Sequence, residues 1–197
     1  MPATLISIIG PPAAGKTTLA EHLAAELPAE LLREDYAGNP FLEPFYLGRA
    51  DLALPAQLYF LFSRAGQLSR ARWPGEGTVI SDYGFCQDAI YAGRGLTGDE
   101  RATYDRLAAA AARRVKAPDA VVHLDGPEGL LLERIARRGR RHEADFDAGF
   151  LAEMRRSYEA ASAAMTCPVV RIDVARTDLS DAGVRAGLTS RLREATT

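Results

Sequence analysis

The residues with the most informative spacing lie near the start of the chain, in the segment Gly10-Pro-Pro-Ala-Ala-Gly15-Lys16-Thr17. This segment fits G-x-x-x-x-G-K-[ST], and it lies between an apolar run that predicts a strand and a predicted helix. In such a loop, backbone N–H groups surround nucleotide phosphates, the lysine lies beside the β- and γ-phosphates, and the threonine hydroxyl binds Mg²⁺. The alternative is a Gly/Pro turn that contains Lys-Thr by chance. We expect ATP to be bound by Gly10, Ala13, Ala14, Gly15, Lys16, Thr17 and Thr18.

Arginines are concentrated in a second segment, which follows the predicted fourth strand. They are Arg134, Arg137, Arg138, Arg140 and Arg141. Phosphoryl transfer develops charge on the oxygens of the γ-phosphate, and arginines that close over it stabilise that charge. A solvated basic face is the alternative. The position after a strand favours a lid at about residues 137–147.

Carboxylates follow the second and third predicted strands. Asp82 ends the third strand beside the phosphate loop, where a carboxylate holds Mg²⁺ or its waters. Asp125, which ends the fourth strand, is the competing candidate, although a structural role in the turn is expected for it. Glu34 and Asp35 follow the second strand, where a carboxylate can accept the proton of an attacking hydroxyl. A plain acidic surface pair is the alternative for these two residues.

The remaining sequence predicts the elements that must position these groups. Strands are predicted at residues 5–9, 30–33, 78–81, 120–124 and 169–172. The predicted helices cover about residues 16–27, 55–71, 98–115, 127–138 and 148–164, with a further helix at the end of the chain. Because strands alternate with helices, the fold class is α/β, with a parallel sheet covered on both faces.

Composition limits the function classes. The 197 residues suit one domain, and the net charge of −2 lacks the basic excess of a general nucleic-acid or membrane binder. The apolar N-terminus is short and has no charged region, so we expect neither a signal peptide nor a membrane span. Cys86 and Cys167 lie too far apart in sequence for a disulfide framework or zinc site, which indicates a reducing cytoplasm.

Several segments together resemble the deoxynucleoside kinase family, and particularly its bacterial purine-deoxynucleoside branch. Besides the phosphate loop, the similarity rests on residues 34–46 (EDYAGNPFLEPFY), 57–64 (QLYFLFSR), 81–88 and 132–143. It covers nearly the whole chain. The resemblance implies a P-loop kinase three-layer sandwich spanning residues 1–197, a homodimer, and ATP-dependent phosphorylation of the 5′-hydroxyl of a deoxyribonucleoside.

The resemblance also implies roles for individual residues. Glu34 matches the general base, Gln57 matches the residue that pairs with the base edge, aided by Arg64 and Asp88, and Asp82 keeps its expected metal role. Tyr46 and Glu143 match the pair that holds the 3′-hydroxyl. Arg134, Arg138 and Arg140 match the catalytic arginines of the lid. The residue types and spacing agree with these roles, since an amide offers a donor and an acceptor together and residues 57 and 64 share a helix face.

One departure and two rival functions remain. Many family members carry arginine after the acidic residue at the end of the third strand, where this chain has Tyr83. A thymidylate-kinase-like monophosphate kinase would need cations for the acceptor's phosphate, and between Glu34 and Arg64 the only other cation is Arg49. A nucleotide-binding switch module would not need a second pocket. The polar side chains can be arranged for adenine, guanine or cytosine, and a purine is the expected base.

Overall fold

The computed structural model describes residues 3–196, and its framework is a parallel β-sheet. The strands are β1 (Thr4–Ile9), β2 (Glu30–Leu32), β3 (Thr78–Ser81), β4 (Ala120–Asp125) and β5 (Val169–Asp173). Within the described residues they form one five-stranded sheet in the order β2-β3-β1-β4-β5, and all four pairings are parallel. The predicted α/β fold with a five-stranded parallel sheet is confirmed.

Helices cover both faces of this sheet. They are α1 (Lys16–Glu26), α2 (Leu42–Tyr46), α3 (Ala53–Gln67), α4 (Gln87–Gly95), α5 (Gly98–Ala112), α6 (Glu128–Arg138), α7 (Ala148–Ala163) and α8 (Ala182–Ala195). Since successive side chains of a strand point to opposite faces, Ile6 and Ile8 pack with α1, α6 and α8, whereas Leu5 and Ile9 pack on the other side. The continuous apolar character of β1 follows from burial on both faces.

Two predicted helices end earlier than expected, and long-range backbone pairing explains both. Helix α3 ends at Gln67 instead of about residue 71, and α5 ends at Ala112 instead of about residue 115. Ser69 and Val115 form an antiparallel bridge, and the N–H of Lys116 donates to the carbonyl oxygen of Leu68 at 2.7 Å. The residues after each helix therefore hydrogen-bond to each other and cannot continue the helical ladder.

Two further helices, α2 and α4, were not predicted. Helix α2 is only five residues long and contains Pro44, so its apolar pattern is too short to indicate a helix. Helix α4 begins after Cys86 and ends at Gly95, and it carries three buried residues: Gln87, Asp88 and Ala92. The helix is only nine residues long and contains Gly93 and Gly95, so its composition does not indicate a helix.

The parallel arrangement brings the ends of β1, β2 and β3 to the same edge of the sheet, beside one another. The phosphate loop follows β1, Glu34 follows β2 and Asp82 follows β3. Open α/β sheets bind ligands in the crevice outside this edge. None of the helices formed by residues 3–196 is long and apolar enough to cross a membrane.

Candidate active site

The phosphate loop connects β1 to α1 in a tightly curved path. Gly10 has φ 146°, and a Cβ placed there would lie 2.2 Å from the carbonyl oxygen of Leu124. Gly15 has φ 100°, and Ala13 also adopts a positive φ, of 61°. L-residues with side chains rarely adopt such angles, so the two glycines allow the backbone to curve around a phosphate.

The lysine of the loop lies folded back over it. The ammonium group of Lys16 donates to the carbonyl oxygens of Gly10 at 2.8 Å and Pro11 at 3.0 Å. Burial lowers the pKa of Lys16 to about 8, and Glu34 and Asp82 oppose this effect only partly. Nearby negative charge raises the pKa of a lysine, so a phosphate bound in this cleft would keep Lys16 protonated.

The residues expected to hold Mg²⁺ are in direct contact. The Thr17 hydroxyl donates to Oδ2 of Asp82 at 2.6 Å. The other carboxylate oxygen, Oδ1, accepts the backbone N–H of Glu34 at 2.8 Å. Asp82 therefore joins the loop after β1 to the segment after β2.

A cleft lies above the loop. It is lined by Ala13, Ala14, Gly15, Lys16, Thr17 and Thr18 on one side, and by Arg134, Arg137, Arg138 and residues 174–180 on the other. The structure thus gathers the predicted ATP-binding residues from Ala13 to Thr18 in one cleft. The segment 174–180, which follows β5, was not predicted from the sequence as part of it.

A second pocket adjoins this cleft between the phosphate loop and α3. Its lining includes nearly all the predicted acceptor-binding residues: Glu34, Tyr46, Gln57, Arg64 and Glu143, together with Lys16, Asp82, Arg138 and Arg140. Asp88 is the exception, since it lies behind Arg64 and does not line the pocket. The pocket thus has residues of the phosphate loop and Glu34 in the same lining.

Arg64 organises the wall of this pocket. Its Nε donates to Oε1 of Glu34 at 2.9 Å, Nη2 donates to the same oxygen, and Nη1 donates to Oδ1 of Asp88 at 2.7 Å. Burial disfavours the charge of Arg64, but the two carboxylates hold its pKa above the usual value. Burial also raises the pKa of Asp88, although Arg64 opposes this effect. The hydroxyl of Tyr104 donates to Asp88 at 3.2 Å.

Gln57 and Tyr46 present polar groups to the pocket. The side chain of Gln57 is buried, and its Oε1 has no hydrogen-bond partner among the described residues. Buried amide oxygens are normally paired, so an unpaired one facing a pocket indicates a ligand donor. Burial raises the pKa of Tyr46 to about 12, which keeps its hydroxyl a donor at neutral pH. No hydrogen bond joins Tyr46 to Glu143 within residues 3–196.

The arginine-rich segment predicted to form a lid borders both pockets. Arg138, at the end of α6, forms a bidentate pair with the buried carboxylate of Glu143, with contacts of 2.6–3.0 Å. The guanidinium of Arg140 lies 4.0 Å from the ring centre of Tyr36. Arg134 approaches the carbonyl oxygens of Ala13 and Ala14, each at 3.4 Å. All three predicted lid arginines thus lie beside the phosphate loop or the acceptor pocket.

Sequence reasoning missed several pocket residues. Most have apolar or aromatic types that gave no chemical signal: they are Tyr36, Leu42, Phe60, Tyr91, His142 and Phe146. Tyr91 lies three residues after Asp88, so recognising α4 would have placed it near the pocket. Gln87 adjoins a predicted site residue and donates to Glu34.

Two other residues at strand ends are structural. Tyr83 is fully buried in a cluster with Leu5 and Val79, and its hydroxyl donates to Gln67. The tyrosine therefore does not replace an arginine at the reaction centre. Asp125 accepts two hydrogen bonds from Arg155, both at 2.8 Å, which is a turn-stabilising ion pair away from the acceptor pocket.

Comparison with known proteins agrees with this geometry. The sequence model of the deoxynucleoside kinase family matches residues 6–189. The chain is 29% identical to deoxyguanosine kinase of Bacillus subtilis over 162 residues, which cover 81% of this chain and 78% of that protein. It is 31% identical to deoxyadenosine kinase of Dictyostelium discoideum over 177 residues, which cover 86% and 72%. A thymidylate kinase of Pseudomonas savastanoi is also similar, with 33% identity over 156 residues.

The fold has a close structural counterpart. A deoxyadenosine kinase from M. mycoides, solved with the products dCMP and dCDP, superposes with a TM-score of 0.81 and covers 97% of this chain and 99% of that one. Its 21% sequence identity means that this likeness concerns the fold alone. A family match over nearly the full length, on a fold with a phosphate loop and an adjoining acceptor pocket, shows that the chain is a phosphotransferase and belongs to the deoxynucleoside kinase family.

Proposed function

We propose that the chain transfers the γ-phosphoryl group of ATP to the 5′-hydroxyl of a purine deoxyribonucleoside, with Glu34 as the general base. The observation that carries this proposal is the position of the Glu34 carboxylate, held by Arg64 and Gln87 in a pocket that also contains Lys16. A base held by fixed donors and placed beside the phosphate loop can receive a hydroxyl proton as the phosphoryl group is transferred.

The residues around the phosphate loop support the donor half of this reaction. Lys16 and the loop N–H groups would hold the β- and γ-phosphates, and Arg134 and Arg138 would stabilise charge on the transferring group. The hydroxyl of Thr17 and the carboxylate of Asp82 are hard oxygen ligands in direct contact, and Mg²⁺ binds such ligands together with water and phosphate. When bound there, Mg²⁺ would neutralise charge on the β- and γ-phosphate oxygens.

The charges in the acceptor pocket support a nucleoside over a nucleoside monophosphate. Each of the three nitrogens of Arg64 donates to Glu34 or Asp88, so the charge of Arg64 is already paired with two carboxylates. Arg49, the other cation of this segment, is exposed and bound to Asp51. Because the two cations described in this segment are already paired with carboxylates, and Glu34 itself faces the pocket, a dianionic acceptor is disfavoured.

The pocket also supports a purine base. The relatives named above include a deoxyguanosine kinase and a deoxyadenosine kinase. The unpaired Oε1 of Gln57 needs an N–H donor, and the edge of a nucleobase offers a donor next to an acceptor, so the choice of a purine rests on these relatives. Leaving a buried amide unpaired costs about 1–3 kcal/mol, which corresponds to roughly a tenfold to hundredfold preference.

The test is kcat/KM for the four deoxynucleosides and the matching monophosphates, with ATP and Mg²⁺. We expect deoxyadenosine or deoxyguanosine to exceed thymidine by about 10- to 100-fold. Gln57→Leu should raise KM for the preferred purine more than for thymidine. If thymidine ranked first, the base assignment would be wrong. If a monophosphate ranked first, the reaction would be that of a thymidylate-like kinase.

Assembly, domain organisation and location complete the proposal. We propose one kinase domain over residues 1–197 with a lid at 137–147, acting as a cytoplasmic homodimer. Phe62 on α3 is 61% exposed and Leu107 on α5 is 39% exposed, and both border one surface groove, which suits contact between copies. Sedimentation of the wild type and Phe62→Glu would test the dimer.

Both cysteines are free thiols, in keeping with a reducing compartment.

A further inference from the structure

The two oxygens of the Glu34 carboxylate have different surroundings. Oε1 accepts hydrogen bonds from Arg64 Nε at 2.9 Å, from Arg64 Nη2 and from Gln87 Nε2 at 3.0 Å. No described residue donates a hydrogen bond to Oε2. Three donors fill the hydrogen-bonding capacity of Oε1, so a hydroxyl in the pocket can transfer its proton only to Oε2 without displacing a protein contact.

Gln87 is held in a position suited to this contact. It is the first residue of α4, its side chain is buried, and its Oε1 has no partner among residues 3–196. Rotating the amide by half a turn would bring that oxygen against the carboxylate of Glu34, where two acceptors repel each other. The orientation with Nε2 towards Glu34 is therefore favoured, even though the amide oxygen remains unpaired.

The contact with Gln87 adds a constraint that Arg64 cannot provide. Arg64 contacts Glu34 from α3, whereas Gln87 contacts it from α4, the helix that follows β3. One anchor leaves a carboxylate free to turn about it, but two anchors on separate helices fix the plane of the group. The direction in which Oε2 points depends on both.

We propose that Gln87 is a positioning residue that directs Oε2 of Glu34 at the acceptor hydroxyl. This inference rests on the proposed role of Glu34 as the base. The hydroxyl proton passes to Oε2 while the acceptor oxygen forms its bond to the γ-phosphorus. The bond between the γ-phosphorus and the bridging oxygen breaks, and ADP leaves with that electron pair.

A double-mutant cycle tests the inference, with Gln87→Met, Glu34→Gln and the double variant compared in kcat and in KM for deoxyadenosine and deoxyguanosine. Methionine keeps the length of the side chain and removes the donor. We expect Q87M to lower kcat about tenfold while KM changes by less than about twofold, the pattern of a group that acts in the transition state. In the E34Q background the same change should lower kcat by less than about twofold, because coupled residues are not additive.

A matched control separates positioning from folding. Gln67→Met removes a half-buried glutamine that contacts Arg33 and Tyr83 outside the pocket, and it should leave kcat unchanged. Unchanged kcat in Q87M, or the same tenfold loss in both backgrounds, would overturn the positioning role. A near-normal rate in E34Q would instead overturn the proposed base, and the positioning role would fall with it.

Discussion

Arg64→Met is the substitution whose consequences the structure defines most sharply. Arg64 is 3% exposed and pairs with Asp88, which is 2% exposed, and with the half-buried Glu34. Methionine fills a similar volume and removes the charge, so two carboxylates lose their partner. Breaking a buried ion pair by removing one member costs about 3–5 kcal/mol, because the remaining charge stays buried. A domain of this size has about 5–15 kcal/mol of stability in total, so the variant should fold but with a narrow margin.

The cost should depend on pH in a defined direction. Burial already raises the pKa of Asp88, and loss of Arg64 removes the group that opposes this effect. A carboxyl whose folded-state pKa lies above its unfolded value binds more protons when folded, so stability increases as the pH falls through that window. The deficit of Arg64→Met relative to wild type should therefore shrink between about pH 8 and about pH 5.

Urea denaturation followed by far-UV circular dichroism measures this deficit. Arg64→Met/Asp88→Leu, which removes the stranded carboxylate as well, should recover at least part of the lost stability, but not the activity. Arg49→Met is the matched control, because Arg49 forms an exposed pair with Asp51, and it should leave stability unchanged. A deficit below about 1 kcal/mol for Arg64→Met at both pH values would refute the buried-pair argument.

Three further predictions concern the reaction itself. Lys16→Met should abolish transfer. It should also raise the free energy of unfolding at neutral pH, because burial lowers the pKa of Lys16 to about 8, and this gain should disappear as the pH rises above that value. A stability below wild type in urea at neutral pH would contradict this prediction. Glu34→Gln should reduce kcat by about 10²–10⁴ with little change in deoxynucleoside KM, whereas Asp35→Asn should retain kcat, and steady-state kinetics showing the reverse would move the base by one residue. Arg138→Ala should lower kcat more than it raises KM, whereas Arg141→Ala, at an exposed arginine that lines neither pocket, should change neither. Equal kcat in the two variants would assign this segment to the solvated surface.

The sequence alone determined the fold class and the donor half of the site. The phosphate loop needs a strand, a glycine-rich turn and a helix in direct succession, so the motif and its structure are both local. Apolar runs alternating with helical patterns were enough to predict the parallel sheet, and that sheet brings the ends of β1, β2 and β3 to one edge. Contact between Thr17 and Asp82, which are 65 residues apart, follows from that arrangement.

The sequence determined less about the acceptor half, because its groups meet through packing between distant segments. Arg64 lies 30 residues after Glu34, and Gln87 lies 53 residues after it, on a short helix with two glycines that was not predicted. Only the tertiary structure decided that Arg64 binds both carboxylates, that Tyr83 turns into the core and that Asp88 lies behind the pocket wall. Periodicity reports which face of an element is apolar, whereas the identity of a buried polar group's partner depends on which elements pack together and at what register.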